Sequence, residues 1–311
     1  MRYENFNEFF SNLNVDNNEI NLKWKELSKK KREKSLITVL IILVIDALIL
    51  YKIRFLAIFS IVPILTIDIF IFIISLFIYG EKDVLQFNKD YKDKVINKLL
   101  ENFVEELDYI PLKGMPRNIY DEAKYGGHYN KYHSDDYFEG KINGQKIMMA
   151  DLLVQKETTT RDKDGHTKTE VRTIFNGLFG KLNLDKSINT NLIIKKDYGF
   201  EFINKSKLEM DSSEFEKAFD VYCDNNIIGM QLLTSDIQED ILTLYNKYKI
   251  SFYISIMHNT MYVLFNTGSM FEVFSTTQSP NEILEEYFDI MKFIDKLVNK
   301  IIITIDNTPV W

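Results

Sequence analysis

The stretch that decides the fold is residues 137–184, YFEGKINGQKIMMADLLVQKETTTRDKDGHTKTEVRTIFNGLFGKLNL. Asn143-Gly144 divides two strand-like runs, Tyr137–Ile142 and Gln145–Lys156. An Asn-Gly pair in that position is a strong short-range hairpin signal, because both residues accept positive φ. A second polar tip, Arg161–His166 with Asp164-Gly165 inside it, precedes the run Thr169–Leu184. Three long antiparallel strands in a meander follow from this spacing. Leu192–Lys196, Phe200–Ile203 and Val221–Tyr222 are shorter strand candidates, and Ile250–Met257 with Met261–Phe265 make a further hairpin turning at His258-Asn259.

Helices flank these strands. Tyr91–Leu107 places Val95, Ile96, Leu99, Leu100, Phe103, Val104 and Leu107 at helical spacing, the pattern of an amphipathic helix. Ser213 with Glu216, Ser235 with Gln238, and Ser279 with Glu282 each fit a capping box, in which hydroxyl and acid or amide satisfy unpaired backbone amides. Pro280 supports the third start, since proline suits the first helical position. That helix carries Ile283, Leu284, Tyr287, Phe288, Met291, Ile294, Leu297 and Val298 on one side as far as Lys300. Leu112–Asp136, rich in Tyr, Gly, His and Asp, reads as a polar loop. The expected fold class is an α+β cytosolic domain with an antiparallel sheet, attached to a two-helix transmembrane hairpin.

The hairpin is read from an apolar block. Ser35–Tyr51 and Phe55–Tyr79 are separated only by Lys52, Ile53 and Arg54. Each is of the ~17–25 residues that cross a hydrocarbon core, and core helices of ordinary domains keep a polar face. The long polar stretch before the block argues against a signal peptide. The expected organisation is a cytoplasmic N-terminal arm over 1–34, the hairpin over 35–80 and a cytoplasmic α+β domain over 81–311. Basic residues lie on both outer flanks, with Lys23, Lys25, Lys29, Lys30, Lys31, Arg32 and Lys34 on one side and Lys82, Lys89, Lys92 and Lys94 on the other. That distribution puts both termini in the cytoplasm. Lys29, Lys30, Lys31, Arg32 and Lys34 are the expected lipid-headgroup contacts.

Asp46 and Asp68 fall within the two spans, where a carboxyl is costly and generally faces protein or water. Counted from the turn they differ in depth by roughly 12 Å, which argues against a direct pair and for contacts between subunits. In the arm, Phe6, Phe9, Phe10 and Leu13 share a helical face, with packing on the protein itself the default. A net charge of −7 disfavours nucleic acid as a partner, because a phosphate backbone demands a basic surface. The single cysteine, Cys223, excludes an internal disulfide framework.

Two segments carry a resemblance. Thr173–Leu184 is similar to the F-x-G-L-F strand of the domain of unknown function 3137 family. Phe215–Leu233 resembles that family's F-E-x-x-F-x-V-Y-S-x-D run and the helix entry after it, which ends in Leu-Leu-Thr; Cys223 stands where the family usually has serine. The C-terminal Trp311 after Asp306–Val310 also fits. The resemblance covers about residues 90–311, together with the two N-terminal spans that these bacterial proteins commonly carry. It implies a multi-pass protein of a bacterial inner membrane, with no activity, cofactor or catalytic residue to carry over.

Each candidate site therefore stands on its own chemistry. His128, His133, Asp135 and Asp136 are the densest group of possible metal ligands, in a pattern that matches no established motif. Cys223 beside Asp224 is a conceivable nucleophile, although a lone cysteine at a strand end is more often packed. Gly177-Leu178-Phe179-Gly180-Lys181 lacks the spacing of a phosphate loop, and its glycines fit a bulge or a close strand approach. The expected function is binding or scaffolding at a membrane, not catalysis, with no cofactor. The expected partners are the lipid bilayer and either a second copy of the chain or another membrane protein. The alternatives are a membrane-linked metal-dependent enzyme using the 128–136 loop and an oligomeric transporter subunit.

Overall fold

The computed structural model describes residues 1–13, 17–52, 81–161, 167–188, 190–196, 207–275 and 278–307. The chain forms two units: Met1–Leu13, Val95–Glu272 and Glu285–Trp311 in the first, and Asn14–Lys94 with Val273–Leu284 in the second.

Among the described residues, the first unit is built on one eight-stranded antiparallel sheet. Its strands are β1 (Glu105–Ile110), β2 (Lys131–Ile142), β3 (Gln145–Arg161), β4 (Thr167–Asn183), β5 (Asn191–Lys196), β6 (Phe219–Cys223), β7 (Phe252–Met257) and β8 (Thr260–Phe265), in the order β1-β2-β3-β4-β8-β7-β5-β6. The hairpin at Asn143-Gly144 forms as expected, with φ of 49° and 78°, the left-handed pair that joins twisted strands without splaying them. His258-Asn259 turns the β7–β8 hairpin, with His258 at φ 55°. Val221–Tyr222 is the middle of β6, while Phe200–Ile203 lies outside the described residues.

Alternation along the strands gives the sheet two apolar faces. One carries Ile194, Phe252, Ile254, Val263 and Phe265, all buried, and receives two helices. These are α8 (Ser235–Tyr248) and α9 (Pro280–Asn307). Phe293 of α9 lies 6.3 Å from Phe252 and 6.0 Å from Phe265, and Tyr245 of α8 lies 5.4 Å from Phe219. The expected stripe of α9 is buried, and so are Ile290 and Phe293, so the helix is covered over a wider arc than its stripe implied.

The other face is capped by the segment from Met115 to Tyr132, which contains α5 (Arg117–Glu122). Tyr120, Tyr129, Ala150, Phe175, Phe179 and Tyr262 form its cluster. Leu112–Asp136 is therefore not the loop the sequence suggested. It holds α5 and the first half of β2, because tyrosines that look polar in sequence bury their rings while their hydroxyls find partners.

The remaining elements of this unit include α1 (Phe6–Ser11) and α4 (Asn97–Phe103), with α6 (Ser213–Ala218) and α7 (Asn226–Leu232) on the C-terminal side. The arm packs on the protein, as expected from its apolar face. Phe9 and Leu13 are buried, and Phe9 and Phe103 sit 5.5 and 5.1 Å from Phe288. Asn102 Oδ1 accepts the backbone amides of Arg2 and Tyr3. The expected helix Tyr91–Leu107 is shorter, since Leu107 belongs to β1. Of the three capping boxes, Ser279 with Glu282 is reciprocal. The other two boxes do not form: the N-cap positions fall one residue earlier, on Ser212, whose hydroxyl accepts from Phe215 N, and on Thr234, which makes no side-chain capping bond.

The second unit contains α2 (Asn17–Lys52) and α3 (Glu81–Tyr91). Lys23 pairs with Asp90 at 2.9 Å and Lys30 with Asp83 at 2.6 Å, a register that sets the two helices antiparallel. Trp24 Nε1 donates to Ser275 O, and Asn88 Oδ1 accepts the amides of Val273 and Phe274. A π-helical turn, Lys92–Ile96, follows α3.

These helices correct the membrane expectation. Among the described residues no helix is long and apolar enough to cross a membrane. Ser35–Tyr51 is not a separate span but the C-terminal part of α2, a single helix whose N-terminal half carries Lys23, Lys25, Lys29, Lys30, Lys31, Arg32 and Lys34. Leu36, Leu40, Leu43 and Val44 stand exposed on it. Phe55–Tyr79, with Asp68, lies outside the described residues, as does the side chain of Asp46. The two-helix transmembrane hairpin is withdrawn, and with it the multi-pass inner-membrane placement with both termini cytoplasmic. The helix continues through Ser35 without a break, so the apolar stretch is one half of α2 and not an element of its own.

Candidate functional site

Two features of the first unit stand out from its packing, one exposed and one buried. The exposed one grows from β3 and β4, which pair continuously from Lys146↔Asn183 to Arg161↔Thr167. Their neighbours stop earlier. The last β2 partner of β3 is Lys131 opposite Gln155, and the last β8 partner of β4 is Phe265 opposite Leu178. Beyond these points Lys156–Arg161 and Thr167–Thr173 continue as a two-stranded ribbon, exposed apart from half-buried Glu157.

Gly177 marks where β4 leaves the sheet. A Cβ there would lie 2.1 Å from Phe265 O and 2.7 Å from Thr267 N, and φ is +147°, so only glycine fits. Asn130 braces the base of the ribbon, accepting from Glu157 N at 2.7 Å and donating to Glu157 O at 2.8 Å. One ribbon face carries Lys156 opposite Arg172, Thr158 opposite Glu170 and Thr160 opposite Lys168. The other carries Val171, Thr169 and Thr159, with the two threonine hydroxyls 3.3 Å apart.

The buried feature is a carboxylate cluster. Asp151 of β3 lies directly opposite Asp135 of β2, and a bulge follows in which Asp136 adopts φ 51°. Such an insertion re-aims side chains locally. Asp151 and Asp136 are 4% and 0% exposed. Asp151 Oδ2 accepts from Ser269 Oγ at 3.0 Å and from Met270 N at 2.9 Å, whereas its Oδ1 is buried without a partner among the described residues. Tyr109 donates its hydroxyl to Asp136 Oδ1 at 2.6 Å.

Burial raises the Asp151 carboxyl from 3.8 to about 7. Asp135 and Asp136 add to the rise, and the bonds from Ser269 and Met270 oppose it. Burial also raises Tyr109, reinforced by Asp136. The cluster clamps the segment after β8, where Phe271 holds a φ of 67° against Tyr109, Phe138 and Tyr287. A group that holds its proton near neutrality can act as an acid or base, but Asp151 faces packed protein. Its chemistry is that of a structural clamp.

The metal candidates separate. Asp135 and Asp136 join this cluster, while His128 is exposed on the segment before β2. His133 is exposed on β2, with Nε2 3.9 Å from Asp135 Oδ2. Among the described residues no group of three or more His, Cys, Asp or Glu side chains could hold a metal ion. Cys223 is buried, with Sγ 3.2 Å from Thr190 Oγ1 and donating to Asn225 O at 3.1 Å, and so it packs.

In the basic run, Lys30 pairs with Asp83, Lys29 lies 3.7 Å from Glu33, and Lys31 sits 5.5 Å from the Phe274 ring centroid. Lys34 accepts from Thr38 Oγ1 through its carbonyl. Arg32 follows on the same helix. A groove of about 180 Å³ between α8 and α9 is lined by Asp240, Lys247, Asp289 and Lys296 among others. It is smaller than the ~300–1,000 Å³ of small-molecule sites, and Lys247 and Lys296 are already paired to carboxylates.

The sequence reading missed both features. Asp151 was detectable, because it shares the parity of Ile147 and Met149 in an apolar run. The overhang of the ribbon was not, because it depends on where the neighbouring strands end.

Residues 173–302 match the family described as Protein of unknown function (DUF3137). The resemblance stated from the sequence is borne out over that stretch. None of the curated proteins matches the chain. Among solved structures, the crystal structure of the mycobacterial trehalose monomycolate transport factor A, TtfA, is similar at 10% identity. It covers 68% of this chain and 94% of that one, with a TM-score of 0.38, a likeness too low to carry an argument.

Proposed function

We propose that this chain, whose residues 173–302 belong to the DUF3137 family, is a binding or scaffolding protein that docks a partner through the β3–β4 ribbon. One observation supports the reading: Lys156–Arg161 and Thr167–Thr173 extend past both neighbouring strands. A two-stranded ribbon contributes little stability of its own, and unpaired strand edges invite pairing with other chains. The ribbon extends such an edge, and its charged side chains disfavour pairing with an arbitrary strand. Its polar, threonine-rich faces suit a surface that meets water when unoccupied. The ribbon up to Arg172 precedes the stretch matched by the family, which begins at Thr173.

The test replaces Lys156–Arg172 with an Asn-Gly turn joining Gln155 to Thr173, which are partners in register. The shortened protein is expected to keep its circular-dichroism spectrum and melting temperature and to lose the proteins cross-linked to the intact chain in native extracts. If those cross-links survive, the ribbon is not the docking element. Turnover of a metabolite or phosphoester panel by the purified chain would overturn the binding role itself.

A further inference from the structure

We propose that the outer edge of β4 between Thr167 and Thr173 takes up an extended acidic segment of a partner polypeptide as an added strand. The proposal rests on the ribbon as the docking element and names its partner by chemistry. Among the described residues no strand pairs with that edge before Leu178, and edge amides and carbonyls are what strand addition uses. The charges then select the partner. Lys156 and Arg172 stand directly opposite one another, a like-charge pair that weakens a ribbon, and neither has a partner among the described residues. Lys168, on the same face, reaches Glu170 at 2.5 Å.

That face therefore presents three cations and one carboxylate, on a chain whose net charge is −7. The other face offers Thr167, Thr169 and Val171, the last 50% exposed. A strand laid along β4 puts its alternate residues beside these. Acidic residues belong opposite Arg172 and Lys168, a basic residue opposite Glu170, and β-branched residues opposite Val171 and Thr169. Nucleic acid would satisfy the cations and leave both the backbone edge and Glu170 unmatched.

The complementary heptapeptide is threonine-glutamate-valine-lysine-valine-glutamate-threonine, which reads the same in both directions and so serves parallel and antiparallel docking. A fluorescein-labelled copy is titrated with the full chain by anisotropy at low salt. Its charge-inverted counterpart, with glutamates and lysine exchanged, is the control. Binding of the acidic peptide is expected, with slowed amide exchange confined to Thr167–Thr173. Affinity should fall at least tenfold for the inverted peptide, for the Lys168→Glu/Arg172→Glu protein, and for a single-stranded oligonucleotide of equal charge.

Absence of binding at millimolar peptide, or binding without amide protection on β4, overturns strand addition. Inverted peptide or oligonucleotide that binds as well as the acidic peptide, but only to protein retaining the ribbon, overturns the acidic partner and leaves the docking reading standing. Peptide binding that is unchanged in the ribbonless protein overturns both.

Discussion

Replacing Asp151 with asparagine isolates the free energy held in the carboxylate cluster. The folded carboxyl titrates at about 7 against an ordinary 3.8, a separation of about three pH units. Each unit corresponds to about 1.4 kcal/mol, so ionised Asp151 costs the native state about 4 kcal/mol relative to the protonated form. The folded chain binds the proton more tightly than the unfolded one. The stabilisation is therefore complete below about pH 4, declines as pH rises towards 7, and is absent above.

Asparagine removes the charge and keeps an oxygen for Ser269 and Met270. Weaker bonds from a neutral acceptor offset part of the gain, by about 1 kcal/mol. The expected outcome is Asp151→Asn more stable than wild type by about 3 kcal/mol at pH 8 and within ~1 kcal/mol of it at pH 4.5. Urea unfolding followed by circular dichroism at a series of pH values measures the difference, in which groups uncoupled to Asp151 cancel. A difference that stays constant between pH 4.5 and pH 8, or a variant less stable at pH 8, would refute the reasoning.

Gly177→Ala is expected to cost at least ~3 kcal/mol in the same assay, because its Cβ would meet the carbonyl of Phe265 at a φ only glycine tolerates. A change under 1 kcal/mol would show that β4 and the segment after β8 can part at no cost. Phe288→Ala removes the ring shared by Phe6, Phe9 and Phe103 and should cost ~3–5 kcal/mol. Faster amide exchange over Met1–Leu13 should accompany it, and an arm that stays fully protected would show that Phe288 does not anchor it.

Turn chemistry was the most legible part of the sequence. Asn143-Gly144 and His258-Asn259 each ended one strand and began the next, since a positive φ is a local demand that few residues meet. Period was nearly as informative: the stripe on α9 and the alternation in β3 and β4 both located buried faces. Boundaries were harder. Ser212 and Thr234, rather than Ser213 and Ser235, take the N-cap positions: the Ser212 hydroxyl accepts from Phe215 N, whereas that of Thr234 donates to Asp236 instead of facing the free amides. The metal candidates His128, His133, Asp135 and Asp136 separate for a related reason. Strand alternation and a bulge sent neighbours in sequence to different surroundings, and the partner that matters for the aspartates, Asp151, is reached only across the sheet.

Residues 137–184 by themselves determined that antiparallel strands form and where they turn, because turns and side-chain alternation depend on a few adjacent residues. The tertiary structure alone decided the rest. The order of eight strands sets where β2 and β8 stop, and hence which part of β3 and β4 emerges as a ribbon. It also buries Asp151 against Asp135, since burial and charge proximity are sums over residues far apart in the chain. The apolar block at 35–79 shows the same limit from the other side: composition announced a hairpin, while the described helix runs unbroken from its polar half into its apolar one.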